Sequence, residues 1–469
     1  MYPSSHPQRR PPSIASNAQP RSGIGFGIGE RLIDEYLTTR SLSSHIVVIP
    51  TTRSVKKSQE TIDGLRKHAK EFAETSEVLR ARGGPNYDPK QTTRRVHILS
   101  VQLDLCNLPA IRRGARQLVS GTVSSPTDDD AFVSLVDVEI PRLDSIIFNA
   151  GIGGWYGLQW SKIFGNIVTK GLVSATTWPT FKGALAGLVI DPVNGGKGNE
   201  KEAPLMGELF CANVFGHYVF AQQLVPLLSR PTGSPLPPGR IIWESSIEPG
   251  WESLSLDDFE ATKTDAPYES TKRLTDLMAL TSTLPASKPH VDRYFTANDA
   301  QAKAPAAATR PKIYLVHPGV VQTTIFPLNA FMFFWYNVVL YVARFLGSPW
   351  HPISAYNGAC APVWVALQEQ GWLDAAGAER VKWGTSTDIW GECRVKKTEV
   401  DGWGWEGRVE QRMMLKKEHK LKGRKSGAVD VTEERLVEFN ALGATCWRRM
   451  EELRAQWEKR VDAAEAGRS

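Results

Sequence analysis

Cysteine is scarce in this sequence, and its few copies follow no pattern. The chain of 469 residues has 5 cysteines. They are scattered along the chain as Cys106, Cys211, Cys360, Cys393 and Cys446. Their intervals match neither a disulfide framework nor the short spacings typical of zinc sites. The sequence therefore predicts reduced thiols in a protein that faces the cytosol, and it predicts no metal centre.

The sequence also lacks a strong net charge and a secretory leader. The formal net charge is +6, and the basic residues are spread out, so nothing indicates binding to nucleic acid. Residues 1–22 are rich in Pro, Ser and Arg and contain no apolar core of the kind found in a signal peptide. We expect residues 1–21 to be disordered.

Long hydrophobic runs are absent except in one place. The segment Ala330–Ala343 carries no charged side chain, but it is shorter than the roughly 20 residues that a membrane-spanning helix needs. Two interpretations remain open. The segment either lies in one leaflet of a membrane, as a monotopic helix does, or forms a buried lid helix over a binding site.

The first chemical signal is a tyrosine and a lysine four residues apart. Tyr268 and Lys272 are followed by Leu274, Leu277 and Met278 at helical spacing, so both polar side chains lie on one helix face. A neighbouring ammonium group favours the phenolate and lowers the pKa of a tyrosine. Such a phenol can give a proton to a carbonyl oxygen, or take one back, near neutral pH.

Three apolar segments end in small or polar clusters. Residues 240–246 end in Ser245 and Ser246, residues 143–151 end in Asn149-Ala150-Gly151, and residues 312–319 end in Pro318-Gly319. Short apolar runs of this kind are typical of buried parallel strands, and open parallel sheets bind ligands at the carboxyl ends of their strands. The sequence therefore predicts a site where these clusters meet.

A glycine-rich stretch precedes the first amphipathic helix. Ser22-Gly23-Ile24-Gly25-Phe26-Gly27-Ile28-Gly29 runs into that helix, an arrangement that lets a pyrophosphate approach the backbone at a helix N-terminus. No apolar strand precedes it, so we expect the sheet to lack its first strand and the chain to bind its cofactor weakly. This interpretation assigns the last two glycines of the dinucleotide-binding pattern to Gly23 and Gly25. Two alternatives remain: the last two glycines are instead Gly27 and Gly29, or the stretch is a flexible glycine linker.

A second strand, residues 45–50, ends in basic rather than acidic residues. Arg53 follows it, with Lys56 and Lys57 close behind. An acidic residue at this position favours a free ribose hydroxyl, whereas an arginine accommodates a 2′-phosphate, so NADPH is preferred over NADH. A solvated helix start is the alternative for the two lysines.

Together these features resemble the short-chain dehydrogenase/reductase family, which implies a Rossmann-type α/β fold with a doubly wound parallel sheet. In such a protein Ser246 would hydrogen-bond the substrate carbonyl, Tyr268 would protonate the alkoxide, and Lys272 would lower the pKa of Tyr268 and hold the nicotinamide ribose. Asn213 matches the helix asparagine that supports a proton-relay water. Asp104 would face the adenine ring, although an acidic helix cap explains it equally well. The implied cofactor-binding residues are Gly23, Ile24, Gly25, Arg53, Asp104, Asn149, Tyr268, Lys272, Pro318 and Gly319.

Within this family the stretch Ser253–Phe259 and the residues around Trp243 and Pro267 resemble the branch that reduces 3-keto sterols. The resemblance implies NADPH-dependent reduction of the C3 ketone of 4-methyl sterones during sterol C4-demethylation. It also implies contact with the cytosolic face of the endoplasmic reticulum membrane or with lipid droplets, beside other C4-demethylation enzymes. A reductase of another lipid ketone or retinoid, and a non-catalytic scaffold of a sterol-synthesis complex, remain as alternatives.

The sequence divides into one large domain and two flanking segments. Residues 22–395 are expected to form the reductase domain, with insertions at about 154–204 and 284–311. Aromatic residues of the first insertion, among them Trp155 and Trp178, line an apolar pocket or pack a structural subdomain. Residues 396–469 form a charged extension, with a helix from about Thr432 to Ala464 that is either solvated or in contact with an anionic membrane or a partner.

Overall fold

The computed structural model describes residues 23–125, 130–196, 204–296, 308–322 and 329–467. The expected disorder of residues 1–21 concerns a segment outside the described residues. Parts of the two predicted insertions, residues 197–203 and 297–307, also lie outside them.

The strands are short and are numbered in chain order. They are β1 Ile46–Val48, β2 Thr51–Thr52, β3 Val96–Ile98, β4 Val101–Gln102, β5 Ser145–Phe148, β6 Trp155–Leu158, β7 Lys182–Ala184, β8 Val189–Ile190, β9 Met206–Gly207, β10 Arg230–Pro231, β11 Arg240–Glu244, β12 Ala308–Thr309, β13 Lys312–His317, β14 Lys382–Thr387 and β15 Cys393–Thr398.

The helices alternate with these strands. They are α1 Gly23–Thr39, α2 Val55–Thr75, α3 Glu77–Gly83, α4 Pro89–Thr93, α5 Leu108–Ser120, α6 Trp160–Lys170, α7 Leu172–Thr177, α8 Glu208–Phe210, α9 Gly216–Gln223, α10 Val225–Leu228, α11 Pro267–Thr281, α12 Lys288–Phe295, α13 Ala330–Phe345, α14 Ala355–Gly358, α15 Cys360–Leu367, α16 Gln370–Ala375, α17 Arg412–Lys417 and α18 Glu433–Ala466.

The central sheet has five strands in the order β15-β14-β13-β11-β5, and every neighbouring pair except β14 and β15 is parallel. Alternate side chains of β11 face opposite layers: Ile241 and Trp243 lie in the core formed with α9, α11 and α18, whereas Ile242 packs toward α15. Both faces of the sheet are therefore covered, as expected of a parallel sheet. The predicted doubly wound α/β fold is confirmed.

Strands β1 to β4 form two small sheets that are not hydrogen-bonded to the central sheet. β1 pairs with β3, and β2 with β4, both in parallel register. In the part of the chain that the structure describes, no strand lies between β5 and β1, so both have a free edge. Val47 at the middle of β1 is 47% exposed, which is unusual for a strand of a parallel sheet. The expected gap in the sheet is thus present in the described residues.

The long C-terminal helix α18 packs against α11 and α12. Its N-cap is Thr432, whose side chain accepts a hydrogen bond from the Arg435 amide. The buried apolar residues of α18 belong to the same core as the central sheet, and the Trp447 indole donates to the Met278 carbonyl at 2.9 Å. One face of α18 is therefore part of the core rather than solvated.

Helix α13 exposes much of its apolar surface. Phe331, Phe334, Trp335 and Phe345 are between 52% and 72% exposed, whereas Leu340 and Ala343 are buried. Among the described residues, no helix combines the length and apolarity that crossing a bilayer requires. The interpretation of this segment as a wholly buried lid is wrong, because only its inner face packs on the protein.

Candidate active site

Helix α11 carries the predicted Tyr268 and Lys272 at the carboxyl edge of the central sheet. It starts with Pro267, whose fixed φ suits the first helical position. The Lys272 ammonium is buried and donates to the backbone carbonyl of Glu244 at 2.8 Å, and it lies 5.6 Å from the centre of the Tyr268 ring. The last residue of β11 therefore fixes the lysine beside the tyrosine.

The second predicted hydroxyl lies next to that tyrosine. Ser246 follows β11, and its side chain lies next to the Tyr268 hydroxyl, where it opposes the rise in the pKa of Tyr268 that burial causes. The Ser246 hydroxyl also accepts the Glu248 amide at 3.3 Å. The structure thus brings Ser246, Tyr268 and Lys272 together, although the first two are 22 residues apart in the sequence.

Asn213 lies in a π-helical turn, Cys211–Phe215, between α8 and α9. Its side-chain oxygen accepts the Ile152 amide at 2.8 Å, and its amide group donates to the Ile152 carbonyl at 3.0 Å and to the Thr271 hydroxyl at 3.2 Å. A π-turn inside a helix often marks a functional site. Asn213 joins the loop after β5 to the helix that carries Tyr268.

The glycine-rich stretch forms the first two turns of α1. A Cβ at Gly25 would lie 2.8 Å from the Asn149 side-chain oxygen, so only a glycine leaves room there. A Cβ at Gly27 would lie 2.5 Å from the Ala355 backbone, and one at Gly29 would lie 2.8 Å from Leu65. Gly27 and Gly29 therefore allow close packing of α1, and the register that closes on them stays an alternative. The rigid helix also excludes a flexible linker over the described residues from Gly23 onward.

The other predicted cofactor residues occupy different places around this edge. Ile24 is partly buried against the small core that contains Ile28 and Val363. Pro318 lies against α14, because a Cβ at Gly358 would be 3.5 Å from it, and Gly319 adopts a φ of +74°. Pro318 therefore borders α14, the element on which α1 packs, whereas Gly319 lies against Trp350, Pro352 and Thr385.

Arg53 and Asp104 lie at the ends of the separated strands. Arg53 is exposed and follows β2 directly, one residue before Ser54, whose side chain caps the N-terminus of α2. Asp104 accepts the Cys106 amide at 3.0 Å, but the N-cap of α5 is Asn107. Asp104 therefore stabilises the turn before the helix rather than capping the helix itself.

The electrostatic surroundings of Tyr268 differ from the expectation. Burial of the phenol and the charges of Glu248 and Glu269 hold the pKa of Tyr268 well above its usual range. Burial lowers the pKa of Lys272 to about 8, against the opposing effect of Glu244. Burial and the nearby carboxylates dominate the pKa of Tyr268 in the chain alone, and the lowering of that pKa by Lys272 stays a prediction.

Sequence reasoning missed the buried carboxylates and a second lysine. Glu244 is 4% exposed, its Oε2 accepts the Asn149 amide at 2.7 Å, and its Oε1 is buried without a hydrogen-bond partner. Burial raises the pKa of Glu244 to about 7. A charged residue inside the apolar run Ile241-Ile242-Trp243 was a visible signal for it. No comparable signal pointed to Lys182, which lies in the first insertion.

That insertion folds over the tyrosine. β6 and β7 form an antiparallel pair, and the Trp155 ring lies 4.9 Å from the Tyr268 ring. The Trp178 indole donates to the Ile247 carbonyl at 3.2 Å. Trp178 also lines an open cleft of about 190 Å³, with Ile247, Glu248, Trp350 and Trp405 among the other lining residues. Lys397, Asp401 and Arg424 also line this cleft, so it is not the apolar pocket that was expected, and the apolar substrate pocket stays a prediction. Trp155 packs on Tyr268.

Similarity to characterised proteins agrees with this site. The chain is 49% identical over 446 residues to 3-keto-steroid reductase ERG27 of Gibberella zeae, covering 93% of this chain and 92% of the relative. It is 39% identical over 456 residues to 3-keto-steroid reductase erg27 of Aspergillus fumigatus, covering 95% and 94%. It is 32% identical over 264 residues to 3-keto-steroid reductase ERG27 of Saccharomyces cerevisiae, covering 56% and 64%. No family model matches the chain.

Proposed function

The chain belongs to the family of 3-keto-steroid reductases, which are oxidoreductases, and we propose that it reduces the C3 ketone of 4-methyl sterones with NADPH. The expected resemblance to this family is confirmed. The observation that carries the proposed chemistry is the grouping of Ser246, Tyr268 and Lys272 at the carboxyl end of β11. When bound, the nicotinamide supplies a hydride to the carbonyl carbon.

The residues of the chain handle the carbonyl oxygen. Ser246 donates a hydrogen bond to that oxygen, and Tyr268 donates the proton that converts the developing alkoxide to an alcohol. Lys272 is fixed by the Glu244 carbonyl, so its remaining N–H groups are free to hold the ribose. Asn213 keeps the loop after β5 against α11, which preserves the spacing of these groups.

The residues around α1 fit a dinucleotide. Only a glycine at position 25 leaves the Asn149 amide group room beside the helix N-terminus, where backbone N–H groups favour a pyrophosphate. Arg53 lies at the end of the neighbouring strand, near the exposed Lys56 and Lys57 at the start of α2. A guanidinium group and two ammonium groups suit a 2′-phosphate, which supports NADPH rather than NADH.

We further propose that the outer face of α13 rests on a membrane. The outer face of α13 exposes four aromatic side chains, those of Phe331, Phe334, Trp335 and Phe345. Helix α7 packs against both α13 and α6, and α6 exposes Phe164 and Val168, which are 66% and 84% exposed. An aromatic surface of this kind binds the boundary between headgroups and acyl chains. This arrangement supports the cytosolic face of the endoplasmic reticulum, or lipid droplets, as the site of action beside other enzymes of sterol C4-demethylation.

The test is product analysis with purified protein, NADPH and a panel of ketones. We expect a 4-methyl 3-keto sterol to be converted to its 3β-alcohol in preference to small ketones, retinoids and other lipid ketones. The Tyr268→Phe variant should lose about 10²–10⁴-fold in turnover, because only the proton donor is removed. Its affinity for NADPH should stay near that of the unaltered protein. Preference for a retinoid would overturn the substrate assignment, and normal turnover of Tyr268→Phe would overturn the role of the tyrosine.

A further inference from the structure

A second lysine, from the insertion, lies over the candidate catalytic tyrosine. The side chain of Lys182, at the start of β7, is only 4% exposed. Its ammonium nitrogen lies 5.2 Å from the centre of the Tyr268 ring and 4.3 Å from the centre of the Trp155 ring. The two rings, tilted by 59° to each other, and the lysine therefore form one cluster beside α11.

Two carboxylates hold this ammonium group. The Lys182 nitrogen forms an ion pair with Glu269 at 2.7 Å and a second, closer one with Glu248. Glu269 is the neighbour of Tyr268 in α11, and Glu248 follows Ser246 by two residues. The side chains of Glu248 and Glu269 are 19% and 17% exposed, so water screens them only weakly.

The charges around Tyr268 would be unbalanced without Lys182. Glu248 faces the phenol from the segment after β11, Glu269 and Lys272 face it from α11, and Glu244 lies at the end of β11. Tyr336 of α13 also senses the charge of Glu248. Lys272 already donates to the Glu244 carbonyl. Lys182 is therefore the cation that directly neutralises the two carboxylates beside Tyr268.

We propose that Lys182 is a positioning residue of the reduction: it neutralises Glu248 and Glu269 and holds both away from Tyr268, so that the phenol can release its proton to the alkoxide. This inference rests on the proposed role of Tyr268 as the proton donor. A negative charge close to a phenol disfavours the phenolate and so makes the phenol a weaker acid. The insertion thus contributes to the chemical step as well as to the pocket wall.

Loss of Lys182 should change how the ionisation of Glu248 and Tyr268 depends on pH. Burial, opposed by Lys182, raises the pKa of Glu248 to about 7. Loss of Lys182 would raise that pKa further, so Glu248 would become charged only at higher pH. In alkaline solution the charged Glu248 carboxylate, without Lys182 to neutralise it, would then disfavour the Tyr268 phenolate. The reverse reaction, oxidation of the alcohol, needs that phenolate.

The experiment measures reduction of a 3-keto sterol and oxidation of the 3β-alcohol by the full chain across pH 6–10. We expect Lys182→Met to slow reduction about 10-fold or more, and to move the rising limb of the oxidation profile, which reports deprotonation of Tyr268, to higher pH by about one unit. The dissociation constant of NADPH should stay nearly unchanged, because the contacts of Lys182 are with Trp155, Tyr268, Glu248 and Glu269 and not with Arg53 or Gly25. Lys182→Arg keeps the charge and should keep the pH profile.

Two further variants separate charge from folding. Lys182→Met/Glu248→Gln removes the unopposed carboxylate and should return the oxidation profile toward that of the unaltered protein. Glu269→Gln removes one carboxylate with Lys182 in place and should shift the profile to lower pH. Equal profiles for Lys182→Met, Glu269→Gln and the unaltered chain would overturn the inference. Tyr268→Phe, measured in parallel, distinguishes failure of the Lys182 inference from failure of the proposed function. Full activity of Tyr268→Phe would refute the proposed function itself.

Discussion

Lys382 of β14 and Asp276 of α11 form a buried ion pair, with the lysine nitrogen and the carboxylate oxygen Oδ2 2.7 Å apart. The lysine side chain is 3% exposed and that of the aspartate is 0% exposed. The other oxygen of Asp276 accepts the Ser245 hydroxyl at 2.6 Å. One carboxylate thus ties the tyrosine-bearing helix to a strand and to the residue that precedes Ser246.

Removing one partner of this pair should destabilise the protein strongly. We expect Lys382→Met to lower the free energy of unfolding by about 3–5 kcal/mol, because it leaves the Asp276 carboxylate buried without its cation. Urea unfolding of the single variants and of Lys382→Met/Asp276→Leu measures the coupling between the two residues. A double variant that loses as much stability as the sum of the single variants would show that the pair is not coupled.

Glu244 should make stability depend on pH. Its pKa is raised from 4.5 to about 7 by burial, so the folded protein holds a proton that the unfolded chain has released. The protonated carboxyl therefore contributes stability that is complete below about pH 4.5 and is lost as the pH rises toward 7. Thermal unfolding of Glu244→Gln, which keeps an oxygen for the Asn149 amide, should show a flatter profile over this window. An unchanged slope would mean that Glu244 is ionised in the folded protein throughout.

Arg53 should select between the two nicotinamide dinucleotides. Arg53→Ala is expected to weaken the binding of NADPH by about 10-fold or more and to leave the binding of NADH nearly unchanged, because only NADPH carries the 2′-phosphate. Fluorescence titration with both cofactors gives the two dissociation constants. Arg94→Ala is the matched control, since Arg94 is also exposed but precedes β3 at the opposite strand end. Equal losses for the two cofactors would make Arg53 a structural residue.

The outer face of α13 should bind lipid. We expect Phe331→Ser/Phe334→Ser/Trp335→Ser to reduce co-sedimentation with phosphatidylcholine vesicles by about 10-fold or more, because burial of a large aromatic side chain contributes roughly 1.5–3 kcal/mol. Val437→Ser serves as a control, because Val437 is 67% exposed on α18. Unchanged sedimentation of the triple variant would show that membrane contact, if any, lies on another surface.

The sequence predicted the parts of the site that short spacings encode. Tyr268 and Lys272 are one helical turn apart, so their proximity required no knowledge of the fold. Ser246, Asn149 and Pro318 could be placed because parallel strands bring their carboxyl ends to one edge. The predicted helix from about Thr432 is present as α18, with its first helical residue at Glu433.

The parts that sequence reasoning missed depend on contacts between distant residues. Lys182 is 66 residues from Glu248 and carries no periodic signal, so its position over Tyr268 could not be read from the insertion. The apolar positions of α18, such as Phe439 and Met450, are diluted by charged residues, which suggested a solvated helix. The basic tail was also misleading, because Lys420 and Arg424 are held in ion pairs with Glu410 and Glu399.

The packing of α18 on α11 also sets an order of events during synthesis. Gly443 approaches α11 so closely that a Cβ there would lie 2.4 Å from the Thr281 side chain, and Trp447 reaches the Met278 carbonyl. The ribosome produces α11 long before α18, so the apolar side of the tyrosine-bearing helix emerges without its cover. A growing chain with an uncovered apolar surface is prone to aggregate. That apolar surface stays uncovered until translation has passed Val461, the last buried apolar residue of α18.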